Sequence, residues 1–522
     1  MVTPIAARAG AVPDAARREE GLLKIALASK QAKPRAVSPP TAWSKLYVPA
    51  AAPSSTVRMA RELATLAATT ELDDAPELNP GEIHRRTRLV LEHFGVTPEP
   101  PSQPLVADLH GRQSAAGLNA RLPFFDPDGE FWRYATLVPA ESTTAAKLRV
   151  YKDRDSKQDL DFEVQLSDGP KPAETLRARL LAAKTNSNAK PLTGLRIALD
   201  AGHMGGKMWP PRTGKFIRDG KTTLNEGDLN LQTSSLLAKR LRALGAEVLE
   251  TRTSHDLVTP KQLEELDLVA LGRADLRNRT TDRWFQGIVR RAENDAQLIA
   301  AFEESPQMKA LFDESQRDNY LMGAVDLDAR GKRLLAFRPD IALVLHYDVR
   351  IRSNTDHRIN PTAPNATKSY VAGGFLEGEL ARSEDRIQIV RHLVDSGPWD
   401  ASVQLSRSIT GGLSAGLGLE RETVHTSVAT LVEPAVFARN LHLTRALSEV
   451  AFAYVEALYY NRTSEFRALT STRGSQVIDG VRYAKRAVQV VDALEAGVVN
   501  FVKQYRDEPP PTPATPVADD NS

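Results

Sequence analysis

Three short apolar runs in the second half of the chain each end abruptly on a polar residue. Residues 195–199 lead into Asp200-Ala201-Gly202-His203-Met204, residues 341–345 into His346, and residues 428–432 into Glu433. From residue 195 onward such runs alternate with segments of helical spacing, which predicts a largely parallel sheet with helices on its faces. After the first run, Asn225 is placed as an N-cap. Leu229, Leu236, Leu237, Leu241 and Leu244 form the buried stripe of a helix that opens at Glu226 and that Gly245 can end. The next strand is predicted at 246–251 and another at 368–373, with helices at 377–394, 402–417, 443–460 and 482–505. Residues 255–339 break this rhythm. They are polar, with helical pieces at 285–304 and 307–314, and they predict an insertion over the sheet edge.

The N-terminal part is patterned differently. Residues 1–55, rich in Ala, Arg and Pro, predict a flexible arm, and 56–104 a small helical region with helices at 57–69 and 82–94. Between 105 and 170 short alternating runs separated by Asp/Gly turns predict a β-rich accessory domain, joined by a linker at 171–193. In that region Phe131, Trp132 and Tyr134 read as core before glycan platform. The catalytic domain is expected over 194–462, a C-terminal helical region over 463–508 and a disordered Pro-rich tail over 509–522. The fold class expected is α/β: a mostly parallel sheet flanked by helices, with a long helical insertion, preceded by the small β-rich domain.

Composition narrows the chemistry. The 522 residues carry 68 basic and 66 acidic side chains, and a formal charge of +2 gives no electrostatic case for a nucleic-acid partner. There is no cysteine, so any metal must be held by His, Asp or Glu. No apolar run reaches the eighteen or so residues of a membrane span, so no integral membrane segment is expected. At the N-terminus only 22–28 is apolar, behind Arg17, Arg18, Glu19 and Glu20, and it is not read as a signal peptide.

Strands that end side by side bring their terminal residues together, and open α/β sheets keep their chemistry at such edges. His203, Glu226 and His346 are the expected ligands of one zinc ion, a neutral-imidazole pair plus one carboxylate that leaves a position for water. Glu433, a carboxylate inside an apolar run, is expected to be the general base and then the general acid: an unpaired buried carboxylate is costly, which favours a functional or an ion-paired role. A phosphate-binding reading of the Gly-rich turn fails, since Ala201 and Met208 occupy positions where a P-loop needs Gly and Ser or Thr.

In this order the residues resemble the zinc-dependent N-acetylmuramoyl-L-alanine amidases of the type-3 class. The turn Leu199-Asp200-Ala201-Gly202-His203-Met204-Gly205-Gly206, the helix start Asn225-Glu226-Gly227-Asp228, the Thr251-Arg252 pair, His346 after its strand, and Leu431-Val432-Glu433 with Phe437 and Asn440 carry the likeness over roughly residues 194–460. The departures are Ala201 for proline, the extra Met204, Tyr347-Asp348 after the second histidine, and an added residue before Phe437. The resemblance implies cleavage of the amide between the lactyl group of muramic acid and L-alanine in peptidoglycan, in the bacterial cell envelope, with the periplasm as the compartment. It further implies that part of 255–339, with Glu293, Glu303, Glu304 and Glu314, covers the zinc until a protein activator lifts it, against a solvated helical hairpin. Two alternatives stay open: a cell-wall-binding or regulatory module without turnover, and a zinc amidohydrolase acting on a smaller amide.

Overall fold

The computed structural model describes residues 78–97, 115–139, 146–166, 176, 190–280, 282–350, 357–376, 378–394, 397–424 and 428–507. The expected arm at 1–55, the helix at 57–69, nearly all of the linker and the tail from 509 lie outside the described residues.

The centre is a mixed sheet flanked by helices. Its strands are β4 (Arg196–Ala201), β7 (Glu247–Glu250), β8 (Ile341–Asp348), β9 (Ala366–Val371), β10 (Glu420–Arg421), β11 (Thr430–Glu433), β12 (Val436–Ala438) and β13 (Ala451–Tyr459), in the order β11-β12-β9-β13-β8-β4-β7 with β10 beside β9, while β5 (Phe216–Asp219) and β6 (Thr222–Asn225) form a separate antiparallel hairpin. β13, β8, β4 and β7 are parallel, whereas β9 runs antiparallel to β13 and β11 antiparallel to β12. The expected mostly parallel sheet is therefore mixed. The segment expected as a helix at 443–460 is mainly the central strand β13, after a one-turn helix at His442–Ala446.

Alternation along the central strands explains how both faces are covered. Ile197 and Leu199, Ile341, Leu343 and Leu345, and Ala453 and Val455 enter one buried cluster with helices α3 (Glu226–Ala243), α10 (Gly397–Leu417) and α11 (Lys485–Asp507). Their neighbours Ala198, Ala342, Val344 and Phe452 enter the cluster on the other face. Side chains of a strand point alternately to the two faces, and burial on both removes the polar half of the pattern. By the same parity His346 and Glu456 project to the second face, at the sheet edge.

That second face is covered by α2 (Ala115–Phe125), α8 (Asp326–Ala336) and α9 (Ser383–Val394), together with the antiparallel sheet of β1 (Ala135–Val138), β2 (Lys147–Tyr151) and β3 (Leu160–Gln165). Leu148, Val150, Phe162 and Val164 share their cluster with Ala342 and Val344, so these three strands pack into the main core. Phe131 and Tyr134 are fully buried there.

Between β7 and β8 the chain forms α4 (Leu268–Asn278), α5 (Arg283–Arg291), α6 (Asp295–Glu304) and α7 (Pro306–Leu311) before α8. Their core, built on Trp284, Phe285, Val289, Leu298 and Phe302, includes Val90 and Val96 from helix α1 (Pro80–His93) and its end. Arg86 of α1 donates to the carbonyls of Val289 and Ala292, capping the end of α5. A helix 203 and 206 residues upstream of its hydrogen-bond partners thus packs into the segment read as an insertion.

Candidate metal centre

His203 leaves the end of β4 with φ 51°, in the left-handed region. The turn is held from beneath by buried donors. Asn230 Nδ2 and Arg252 Nη2 donate to the Gly202 carbonyl at 2.9 and 3.2 Å, and Arg252 also to the Gly227 carbonyl at 3.2 Å. Arg330 Nη1 donates to the Ala201 carbonyl at 2.8 Å and lies 3.4 Å from Asp200, while its Nε meets Asp326 at 2.7 Å. Asp326 in turn accepts the backbone N–H groups of Val258 and Thr259 at 2.6 and 2.9 Å. The buried ions Asp200, Arg330 and Asp326 thereby join the His203 turn to both ends of the segment between β7 and β8.

Glu226 is the first residue of α3, and its N–H donates to the Lys215 carbonyl at 3.0 Å. Asn225 holds the N-cap position, but its side chain donates to Asp228 and to the Gly206 carbonyl instead of accepting from the helix. Glu226 and Asp228 lie in the first turn and Arg240 and Arg242 in the last, each sign matching the helix dipole.

The structure brings His203, Glu226 and His346 together. Glu226 Oε1 lies 3.0 Å from His346 Nδ1 and 3.3 Å from His203 Nε2, with the two imidazoles edge to face at 4.8 Å. Zinc ligands at about 2.0–2.2 Å from the metal stand roughly 3.2–3.6 Å apart at a tetrahedral edge, so the two separations from Glu226 fit zinc to a few tenths of an ångström, and the three ligand atoms all lie within 4.8 Å of one another. Burial, with the charges of Lys215, His346, Arg330 and Arg252, pushes His203 well below the usual imidazole range and keeps it in the neutral, ligating form. Gly202 permits the approach: a Cβ there would meet the His346 ring at 2.2 Å. The other face of His346 stacks on Tyr454 at 4.6 Å.

Glu433 is not in this group. It ends β11, four strands from β8, on the order of 19 Å away at the usual strand spacing. There it is gripped by Arg407, Nε to Oε1 at 2.8 Å and Nη2 to Oε2 at 2.5 Å. Its place in an apolar run reflects an ion pair, which corrects the expectation that it faces the metal.

The carboxylate beside the triad is Glu456. It is the register partner of His346 on the adjoining parallel strand, and its Oε2 is buried with no hydrogen-bond partner among the described residues. Burial and the nearby charges of Asp348 and Glu226 raise its pKa well above the ordinary range, opposed by Lys368 and Lys215. Beyond it, Lys368 pairs with Asp348 at 2.6 Å and Glu422 at 3.3 Å and meets Tyr459 at 3.0 Å. The signal for Glu456 was present in the sequence: a lone carboxylate in the apolar run 452–460, preceded by Val455 and followed by Ala457 and Leu458.

The acids expected to cover the centre are elsewhere. Glu293, Glu303, Glu304 and Glu314 are all exposed, Glu303 pairing with His93 and Glu314 with Arg317. Residues of 255–339 that do touch the turn include His255, whose carbonyl accepts the Gly205 N–H at 3.1 Å, Arg330, with Nη2 3.4 Å from Met204 Sδ, and Met322, packed with Met204 and Trp209.

No family model matches the sequence, and no curated protein matches it either. Among solved structures, the N-acetylmuramyl-L-alanine amidase of Mycobacterium smegmatis is 14% identical, covers 60% of this chain and 99% of its own, and has a TM-score of 0.31. The CwlD amidase from Clostridioides difficile, solved with the GerS lipoprotein, is 12% identical over 59% of this chain and 99% of its own, with a TM-score of 0.31. The amidase AmiC2 of Nostoc punctiforme is 11% identical over 60% and 99%, again at 0.31. At these scores the overlap assigns neither a family nor a function.

Proposed function

We propose that the protein is a zinc-dependent amide hydrolase acting on the bond between the lactyl group of muramic acid and L-alanine in peptidoglycan. The observation that carries the reading is the single carboxylate oxygen of Glu226 within 3.0 and 3.3 Å of both histidines, beside the buried Glu456. His203 Nε2, His346 Nδ1 and Glu226 Oε1 would hold the metal. When bound, zinc supplies Lewis acidity and lowers the pKa of water.

The protein's own residues do the rest. Arg252, Asn230 and Arg330 fix the turn that presents His203, and Tyr454 fixes the His346 ring. Glu456 Oε2, free of hydrogen bonds from the described residues, takes a proton from the attacking water and delivers it to the amine nitrogen as the C–N bond breaks. The products are the lactyl carboxylate and a free L-alanine amino terminus. This chemistry requires access to the cell wall, hence an envelope location. A protein activator working through 255–339 would have to shift His255, Arg330 and Met322, which contact the His203 turn, since Glu293, Glu303, Glu304 and Glu314 face solvent.

The test is a digest of purified peptidoglycan with zinc-loaded protein, scored by mass spectrometry for new L-alanine amino termini. The expected result is release that stops on chelation and returns with zinc. Binding to peptidoglycan without release would favour a wall-binding module, and release from small soluble amides alone would favour the smaller substrate.

A further inference from the structure

The segment joining the His203 turn to the Glu226 helix, residues 204–225, carries Lys207, Arg212, Lys215, Arg218 and Lys221 against Asp219 alone. Five cations against one carboxylate make a net +4, in a chain whose whole formal charge is +2. A field of one sign concentrated at a site attracts ligands of the other. Some of these charges have other engagements. Arg212 lies 3.4 Å from Asp318 and over the Trp209 ring, and Arg218 donates to Thr223 and lies over Phe216.

Lys215 differs. It is half-buried, and its ammonium makes no hydrogen bond or ion pair with the described residues. Its backbone is fixed on both sides: the N–H donates to Thr213 Oγ1 at 3.3 Å, and the carbonyl accepts the Glu226 N–H at 3.0 Å. Gly214, at φ 67°, supplies the left-handed step that delivers Lys215 to this place. The charge of Lys215 is felt at both His203 and Glu456, so its ammonium lies within electrostatic range of the ligand on β4 and of the carboxylate on β13. A half-buried cation within range of both, held by its backbone and without a counter-ion among the described residues, is suited to an anion brought by the substrate.

We propose that Lys215 is a specificity-determining residue whose ammonium receives a carboxylate on the amine side of the scissile amide, so that acidic amides are selected over their neutral, amidated counterparts. The inference rests on the reading of this site as an amide hydrolase and names its substrate class.

The experiment is calorimetric binding of N-lactoyl-L-alanyl-D-glutamate and of its diamide to zinc-loaded, full-length Glu456→Gln protein, with and without Lys215→Met or Lys215→Arg. The acid is expected to bind about tenfold tighter than the diamide, as one charge-assisted contact allows. Lys215→Met should bring the ratio to near one without changing diamide affinity, and Lys215→Arg should restore it. Unchanged diamide binding also shows that the variant is folded. Equal affinities in the Glu456→Gln parent, no binding of the acid, or a preference that survives Lys215→Met would overturn the proposal. Release of L-alanine termini from peptidoglycan by the wild type judges the hydrolase reading separately, so a failure of that reading and a failure of the Lys215 proposal are told apart.

Discussion

At the scale of single residues, the site depends on side chains that are absent as much as on those present. A methyl group at Gly202 would meet His346 at 2.2 Å and at Gly227 the Met204 carbonyl at 2.1 Å, both far inside van der Waals contact. Gly202→Ala should therefore displace the His346 ring and lower zinc affinity at least tenfold, measured by competition with a chromophoric chelator; unchanged affinity would show that the ring is not held where the structure puts it. Away from the centre, burial and the charges of Arg445 and Arg382 push His442 down to about 3. The unfolded imidazole titrates near 6.5, so the unfolded chain binds the proton first. The stabilisation from neutral His442 is complete above about pH 6.5 and is lost as pH falls from there toward 3. His442→Gln should flatten this acid limb in urea unfolding, whereas an acid limb identical to the wild type's would count against a buried neutral imidazole. The juxtaposition of His203, Glu226 and His346 was legible in the sequence because His203 lies in the turn after an apolar run, His346 directly after one and Glu226 at a helix start. The choice between Glu433 and Glu456 was not, because both satisfy the same local pattern and only strand order separates them.

At the scale of elements, the clearest departure is β13. Residues 452–460 are a continuous apolar run with one carboxylate, and periodicity alone cannot tell a strand buried on both faces from a buried helix. Read as a helix, the segment gave no reason to place Glu456 opposite His346; as a strand, it fixes that pairing through register. The buried trio Asp200, Arg330 and Asp326 is another element-level device, tying α8 to the end of β4. Arg330→Met would leave two buried carboxylates without their cation, at a cost of about 3–5 kcal/mol. Thermal unfolding should show a large fall in midpoint; a shift of a degree or less would mean that the trio contributes little. Similarly, Arg86→Ala removes the cap on α5 and should expose 283–312 to limited proteolysis before the central sheet is cut.

At the scale of the molecule, alternation of strand and helix signals foretold an α/β core, but not the reversal at β9 that makes the sheet mixed. Direction depends on how the chain crosses the core, which no local pattern records. Nor did the sequence show that α1 completes the core of the segment between β7 and β8, or that β1–β3 share the core of the main sheet, since both are contacts between regions far apart in the chain. This same long-range order puts one carboxylate beside the candidate metal ligands and the other four strands away. The most direct test is the rate of L-alanine terminus release from peptidoglycan by zinc-loaded Glu456→Gln and Glu433→Gln proteins of equal zinc content. The account predicts a loss of about 10²–10⁴ for Glu456→Gln, the usual worth of a general base, and a rate within a few-fold of wild type for Glu433→Gln. The reverse ranking, with Glu433→Gln inactive and Glu456→Gln near wild type, would contradict it.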